Sequence, residues 1–334
     1  MRTSVIGHRG ASGYRPEHTR SAFNLAFALG ADAVEPDVVA TRDGVLVVRH
    51  ENEISGTTDV ASRPEFAGLR ARKLIDGTVL TGWFTEDFTW DELATLRAKE
   101  RMPKTRQSNA SFDGEHPILR LRDLLDLVDR SADLNQRDLG LVAEIKHATY
   151  FASIGLPLDE LFAAEVAAAG WNTDRLTVES FELGVLSQLR ERGIRGKRIF
   201  LLEDAGQPHD EIARHGDAAR RYSEYLTEAG LADLASRVDG VSVHKSRILK
   251  TMPAGGVTGA SALVEEAHAV GLLVYCWTLR PENRFLAASF QRGSRKSDWG
   301  HWQREFGTIM ASGIDGVFAD HPDLAVHVRD AQPS

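Results

Sequence analysis

Leu29-Gly30-Ala31-Asp32-Ala33-Val34-Glu35-Pro36-Asp37 joins two periodicities: an amphipathic helical stretch ends at Gly30, and an apolar run of β type begins at Ala33. Glycine at a helix end supplies the left-handed conformation that a Cβ would oppose. The junction recurs along the chain. Gly170 precedes Leu176-Thr177-Val178, Gly193 precedes Arg198-Ile199-Phe200, Gly271 precedes Leu272-Leu273-Val274, and Gly313 precedes Ile314-Asp315-Gly316-Val317. Strands are expected near 4–8, 33–38, 141–145, 175–179, 198–202, 240–243, 272–277 and 314–318. Eight strands alternating with helices predict an α/β chain closed as a (β/α)8 TIM barrel. A doubly wound open sheet is the rival, but it usually has fewer strands and often a glycine-rich nucleotide loop, which this sequence lacks.

The rhythm breaks at residues 51–116, a polar stretch rich in Thr, Arg, Asp and Gly, read as an insertion after the second barrel strand within a single domain spanning 1–334. It holds a helix signal from Asp91, with the capping pattern Thr89-x-x-Glu92. Residues 203–233 are charged and helical in tendency. Residues 281–297 form a loop before a helix expected to bury Trp299, Trp302, Phe306, Ile309 and Met310 on one face.

The 334 residues carry 40 Lys plus Arg against 48 Asp plus Glu, a net charge of -8, so no basic excess argues for nucleic acid. A small molecule is the expected partner. Cys276 is the sole cysteine, which excludes an internal disulfide and a cysteine-cluster metal site. No apolar run approaches the roughly 20 residues a membrane span needs. The compartment stays open: cytoplasmic if the chain is complete, periplasmic or secreted if a leader has been removed. The oligomeric state is open too.

In such a barrel the working residues sit at the C-terminal ends of strands. There the sequence places His8-Arg9 after the first strand, Glu35-Pro36-Asp37 on the second, Glu144-Ile145-Lys146-His147 on the third, Glu179-Ser180-Phe181 on the fourth, His244-Lys245 on the sixth and Trp277 on the seventh. Glu35 and Asp37 are two apart and point to one face of a strand. Two adjacent carboxylates repel, and a divalent cation removes that cost. With Glu144 as a third, the oxygen ligands suit Mg2+ or Ca2+ better than zinc. A pair of surface carboxylates flanking a proline is the bland alternative.

Asp43-Gly44 signals a hairpin between Val38-Val39-Ala40 and Val45-Leu46-Val47-Val48. Counting six residues out from each side of that turn sets His50 opposite Asp37, beside the expected cation. His8 enters the same space, giving two imidazoles suited to proton transfer. Arg9 and Lys146 add the positive charge a phosphoryl group needs. Glu17 and His18 orient the site in this reading. Trp277, Phe181 and Tyr14 form an apolar wall against substrate carbons, or else ordinary packing.

The run from His8 to Thr19, Glu35-Pro36-Asp37, and His50 followed by Gly56-Thr57-Thr58-Asp59-Val60 together resemble the signature of glycerophosphodiester phosphodiesterases. The resemblance extends through Glu144-Ile145-Lys146 and Glu179-Ser180-Phe181 to Asp315-Gly316-Val317-Phe318-Ala319-Asp320-His321-Pro322, nearly the whole chain. The insertion, with Leu80-Thr81-Gly82-Trp83-Phe84, resembles the longer GlpQ-like bacterial branch. The resemblance implies one divalent cation, Ca2+ or Mg2+, on Glu35, Asp37 and Glu144. It implies His8 and His50 as catalysts, Arg9 and Lys146 at the phosphate, and sn-glycerol 3-phosphate plus an alcohol as products. The family's usual Asp after the second histidine is Glu51 here, and its Pro-Thr-Leu appears as Pro117-Ile118-Leu119-Arg120-Leu121. A lyase or phospholipase D forming a cyclic phosphate, and a non-catalytic metal- and phosphate-binding barrel, are the competing readings.

Overall fold

A computed structural model describes residues 2–252 and 256–332. Eight parallel strands run Ser4–His8, Ala33–Glu35 continuing as Asp37–Ala40, Gly140–Ile145, Leu176–Ser180, Lys197–Leu202, Gly240–His244, Leu273–Leu279 and Gly316–Ala319. The first strand pairs with the second at Ile6↔Ala33 and with the eighth at Ser4↔Gly316, which closes the barrel. The expected fold is therefore the observed one, and helices connect the strands. Gly30 and Gly313, at two of the helix ends, have φ of 93° and 81°, the region a side chain would resist. Pro36 splits the second strand because it has no N–H to give the ladder. Its carbonyl still accepts from the Glu144 amide at 2.9 Å.

Alternation along the strands separates what fills the barrel from what works at its top. Ile6, Ala33, Val142, Ile199, Tyr275 and Phe318 pack together as the plug of the lumen. Two residues on, the same face of the same strands carries His8, Glu35, Glu144, Leu201, Trp277 and Asp320. The apolar layer thus excludes water from below, and the polar layer meets the mouth. The opposite faces join a larger core with the surrounding helices.

The second strand turns back through Leu46–Val48, paired at Val38↔Val48 and Ala40↔Leu46. This register differs from the expected one. Arg49, not His50, lies opposite Asp37, and its amide donates to the Asp37 carbonyl at 3.0 Å. The cause is the loop: Thr41 pairs with Val45, so Arg42-Asp43-Gly44 forms a three-residue turn with Gly44 at φ 77° instead of a two-residue one.

Within 51–116 an antiparallel hairpin, Ala71–Ile75 with Thr78–Gly82, turns at Asp76-Gly77. Thr89 and Glu92 form the capping box of a one-turn helix, Trp90–Leu93. The late helix runs Trp302–Met310 and buries Trp302, Phe306, Ile309 and Met310. Trp299 falls outside that helix and is 44% exposed, so it is not part of the buried face. Among the described residues no helix is long and apolar enough to cross a membrane.

Candidate active site

A cavity of about 810 Å³ opens at the C-terminal ends of the strands, with His8, Arg9, Glu35, His50, Glu144 and Lys146 in its wall. Glu179, Phe181 and Trp277 line it as well. Parallel pairing sets Glu35 beside His8, Glu144 beside Asp37, and Glu179 beside Glu144. Strand register alone therefore brings carboxylates from three neighbouring strands to one level.

Glu35, Glu144 and Glu179 are buried, and each offers an oxygen within 4.8 Å of the others. Burial pushes all three carboxyls up: Glu35 well above its usual range with Asp37 adding to it, Glu144 to about 8, and Glu179 well above with Glu144 adding. Asp37 behaves oppositely. Burial opposes its ionisation, but His50, Lys146 and His18 outweigh it and hold the carboxyl well below the usual range. One oxygen of Asp37 takes His18 Nε2 at 2.8 Å, and the other, like Glu179 Oε2, is buried without a hydrogen-bond partner. Asp37 is outside the closest group of three and does not line the cavity. Crowded, partly unpartnered carboxylates of this kind fit a hard divalent cation, which would replace the protons they otherwise retain.

Two cations face them. Arg9 sits at φ 57°, which turns its amide onto Glu35 Oε2 at 2.8 Å. Its guanidinium reaches Glu17 at 3.1 Å and Asp37 at 3.5 Å. Lys146 Nζ lies 2.8 Å from Glu144 Oε1, 3.7 Å from Asp37 Oδ1 and 3.4 Å from His50 Nε2. Glu17 is buried outside the cavity wall, clamped between Arg9 and Arg101, and so acts on Arg9 from behind.

The imidazoles share one arrangement. His8 Nδ1 lies 2.6 Å from Asp320 Oδ1, and His50 Nδ1 lies 2.5 Å from Glu51 Oε1. Asp320 and Glu51 are both held ionised, with Arg280 and Arg106 beside the former and His50 and Arg101 beside the latter. An ionised carboxylate only accepts, so each Nδ1 carries the hydrogen and each Nε2 keeps its lone pair. Burial, helped by Arg9, lowers the His8 pKa to about 4 and that of His50 to about 3, so both rings are neutral at neutral pH. The one-residue register difference leaves His50 at the cavity because it lies past the last ladder pair.

Phe181 and Trp277 meet edge to face at 5.9 Å in the wall. Tyr14 is not in that wall: its hydroxyl donates to Asp323 at 3.0 Å. Sequence reasoning missed Glu179 as a partner of Glu144, although a glutamate at the same strand level was a readable signal. It also missed Glu51, Arg101, Asp320 and Arg280 as supports of the two histidines, for which spacing gives no signal.

The family model described as "Glycerophosphoryl diester phosphodiesterase family" matches residues 8–324. A Mycobacterium tuberculosis protein named "Probable glycerophosphodiester phosphodiesterase 1" is 54% identical over 280 residues, 82% of this chain and 81% of its own. An Arabidopsis thaliana protein named "Glycerophosphodiester phosphodiesterase GDPD6" is 28% identical over 332 residues, 94% of this chain and 82% of its own. Among solved structures, an Oleispira antarctica phosphodiesterase "in complex with the product sn-glycerol-3-phosphate" shares the fold, with a TM-score of 0.61 at 19% identity over 99% of this chain and 98% of its own.

Proposed function

Because the chain belongs to the glycerophosphoryl diester phosphodiesterase family, we propose that it hydrolyses glycerophosphodiesters to sn-glycerol 3-phosphate and an alcohol by histidine acid-base catalysis with one divalent cation. The supporting observation is the meeting of two carboxylate-anchored imidazoles, His8 and His50, with Glu35, Glu144, Lys146 and Arg9 on one cavity. A binding module has no need of paired proton-transfer groups.

Glu35, Asp37 and Glu144, joined by Glu179, would hold Ca2+ or Mg2+, which when bound supplies positive charge against a phosphoryl oxygen. Arg9 and Lys146 neutralise the remaining charge of the diester, Arg9 through its fork and Lys146 as a point charge. One imidazole takes the proton of the attacking oxygen, water or the adjacent glycerol hydroxyl, on its free Nε2. The other delivers a proton to the departing alcohol oxygen. The negative charge of a bound diester favours the protonated form of whichever ring acts as acid, opposing the burial and the Arg9 charge that lower both rings. Phe181 and Trp277 cover the carbon skeleton and limit water.

The test is turnover of a glycerophosphodiester panel by wild type, His8→Ala, His50→Ala and Glu35→Gln, with and without EDTA, followed by phosphorus NMR. Loss of about a hundredfold or more is expected in each histidine variant. Full activity in either removes that residue from the mechanism, and a cyclic phosphate as the final product replaces hydrolysis by the lyase reaction.

A further inference from the structure

We propose that the outer face of the insertion hairpin, Ala71–Ile75 with Thr78–Gly82, docks on an anionic phospholipid surface and brings the mouth of the cavity to it.

Side chains alternate across the hairpin, so its two faces differ in chemistry. Ile75 and Lys73 belong to the inner face: Ile75 is buried, and Lys73 Nζ meets Glu86 at 2.9 Å and Asp87 at 2.7 Å. Arg72 and Leu74 lie on the outer face, paired across the ladder with Thr81 and Val79, and all four are exposed. Arg70, two residues before Arg72, is exposed as well. Leu74 and Val79 stand directly opposite each other and are 61% and 50% exposed, so they form one apolar patch instead of two scattered side chains.

The charges around that patch have one sign. Arg63 and Lys73, on either side in the chain, are paired with Asp59 and Glu86, whereas Arg70 and Arg72 form no ion pair among the described residues. Arg70 instead lies over the Trp83 ring, at 5.8 Å. Asp76, at the turn of the hairpin, is answered by His147 at 2.6 Å. An aliphatic pair flanked by two uncompensated guanidinium groups matches the layering of an anionic membrane interface, where alkyl carbon enters the acyl boundary and cations stay at the depth of the phosphates. A stable protein interface buries roughly 800 Å² on each partner, far more than these few side chains offer. The inner-face contacts of Lys73, Ile75 and Asp76 hold the hairpin in place, so docking has no loop to order.

The same hairpin borders the active site. Asp76 and Thr78 are in the cavity wall, and so is Ile212, itself 40% exposed. A membrane held at Leu74 and Val79 therefore lies beside the entrance.

Co-sedimentation of the full chain with sucrose-loaded vesicles of phosphatidylglycerol and phosphatidylcholine tests this, with phosphatidylcholine vesicles as the reference. Binding is expected on the anionic vesicles and should weaken as salt rises. Arg70→Gln combined with Arg72→Gln should lower the partition coefficient by at least about tenfold, each arginine near such a surface contributing a factor of about five. Leu74→Ser combined with Val79→Ser should lower it by about tenfold as well. All four side chains are exposed, so both double variants should keep the wild-type unfolding midpoint. Binding is read without turnover, which separates this result from the hydrolytic reading. No binding by wild type, equal binding to the phosphatidylcholine vesicles, or binding that either double variant leaves unchanged overturns the inference. Dimerisation of wild type in sedimentation velocity without lipid, abolished by Leu74→Ser with Val79→Ser, would assign the face to a second copy of the chain and overturn it too.

Discussion

His50 Nδ1 lies 2.5 Å from Oε1 of Glu51, its neighbour in sequence, and Arg101 Nη2 holds the other Glu51 oxygen at 2.7 Å. The carboxylate is therefore fixed before it fixes the ring. Glu51→Gln replaces an obligate acceptor by an amide that can present its NH2 to Nδ1 and favour the wrong tautomer. A loss of about ten- to a thousandfold in kcat is expected, with little change in cation affinity. Steady-state kinetics beside calorimetric cation titration checks this. An unchanged kcat would make the pair incidental.

Arg101 joins parts of the chain that spacing alone cannot connect. Its guanidinium donates to Glu17, which holds Arg9, and to Glu51, which holds His50. Arg101→Lys keeps the charge but loses the fork. Thermal unfolding should show a stability loss of about 1 kcal/mol, because charge-assisted hydrogen bonds of a partly exposed pair are lost while the charge remains. Activity should fall at least about tenfold at temperatures where the variant remains folded. A variant less stable but fully active would separate the two roles.

Legibility followed the range of the physics. The helix-glycine-strand junctions are local, and the closed barrel follows from them. Glu35, Glu144 and His8 were readable because alternation places them above lumen residues two positions earlier. His50 was reached by a register that differs by one residue, because Asp43-Gly44 does not reveal whether the turn has two residues or three. Asp320 beside His8, 312 positions away, and Arg106 beside Asp320, 214 away, depend on barrel closure and on how the insertion packs, and neither leaves a periodic trace.

Glu179 offers a test of the cation site that is independent of turnover. Its Oε2 is buried without a partner, and it stands level with Glu144 across the strand pair. Glu179→Gln keeps the shape and removes the charge, so Ca2+ or Mg2+ affinity measured by calorimetry on EDTA-stripped protein should fall by about tenfold or more. Asp37→Asn should weaken binding too, and should also disturb His18, to which Asp37 is hydrogen-bonded at 2.8 Å. Wild-type affinity in Glu179→Gln would restrict the ligands to the second and third strands.

Glu100 provides a pH test away from the cation site. Burial pushes its carboxyl up to about 7 from an ordinary 4.5, against the opposing pull of the Met102 amide it accepts. Between those two values the folded chain keeps a proton that the unfolded chain releases. The resulting stability is complete below about pH 4.5 and is lost as pH rises through about 7. Glu100→Gln cannot ionise and can still accept from Met102. Relative to the variant, wild type should therefore lose about 2 kcal/mol between pH 5 and pH 8, read from unfolding midpoints at each pH. A difference that stays constant over that interval would mean that Glu100 is ionised throughout and held by Arg106 and Asn109 rather than protonated.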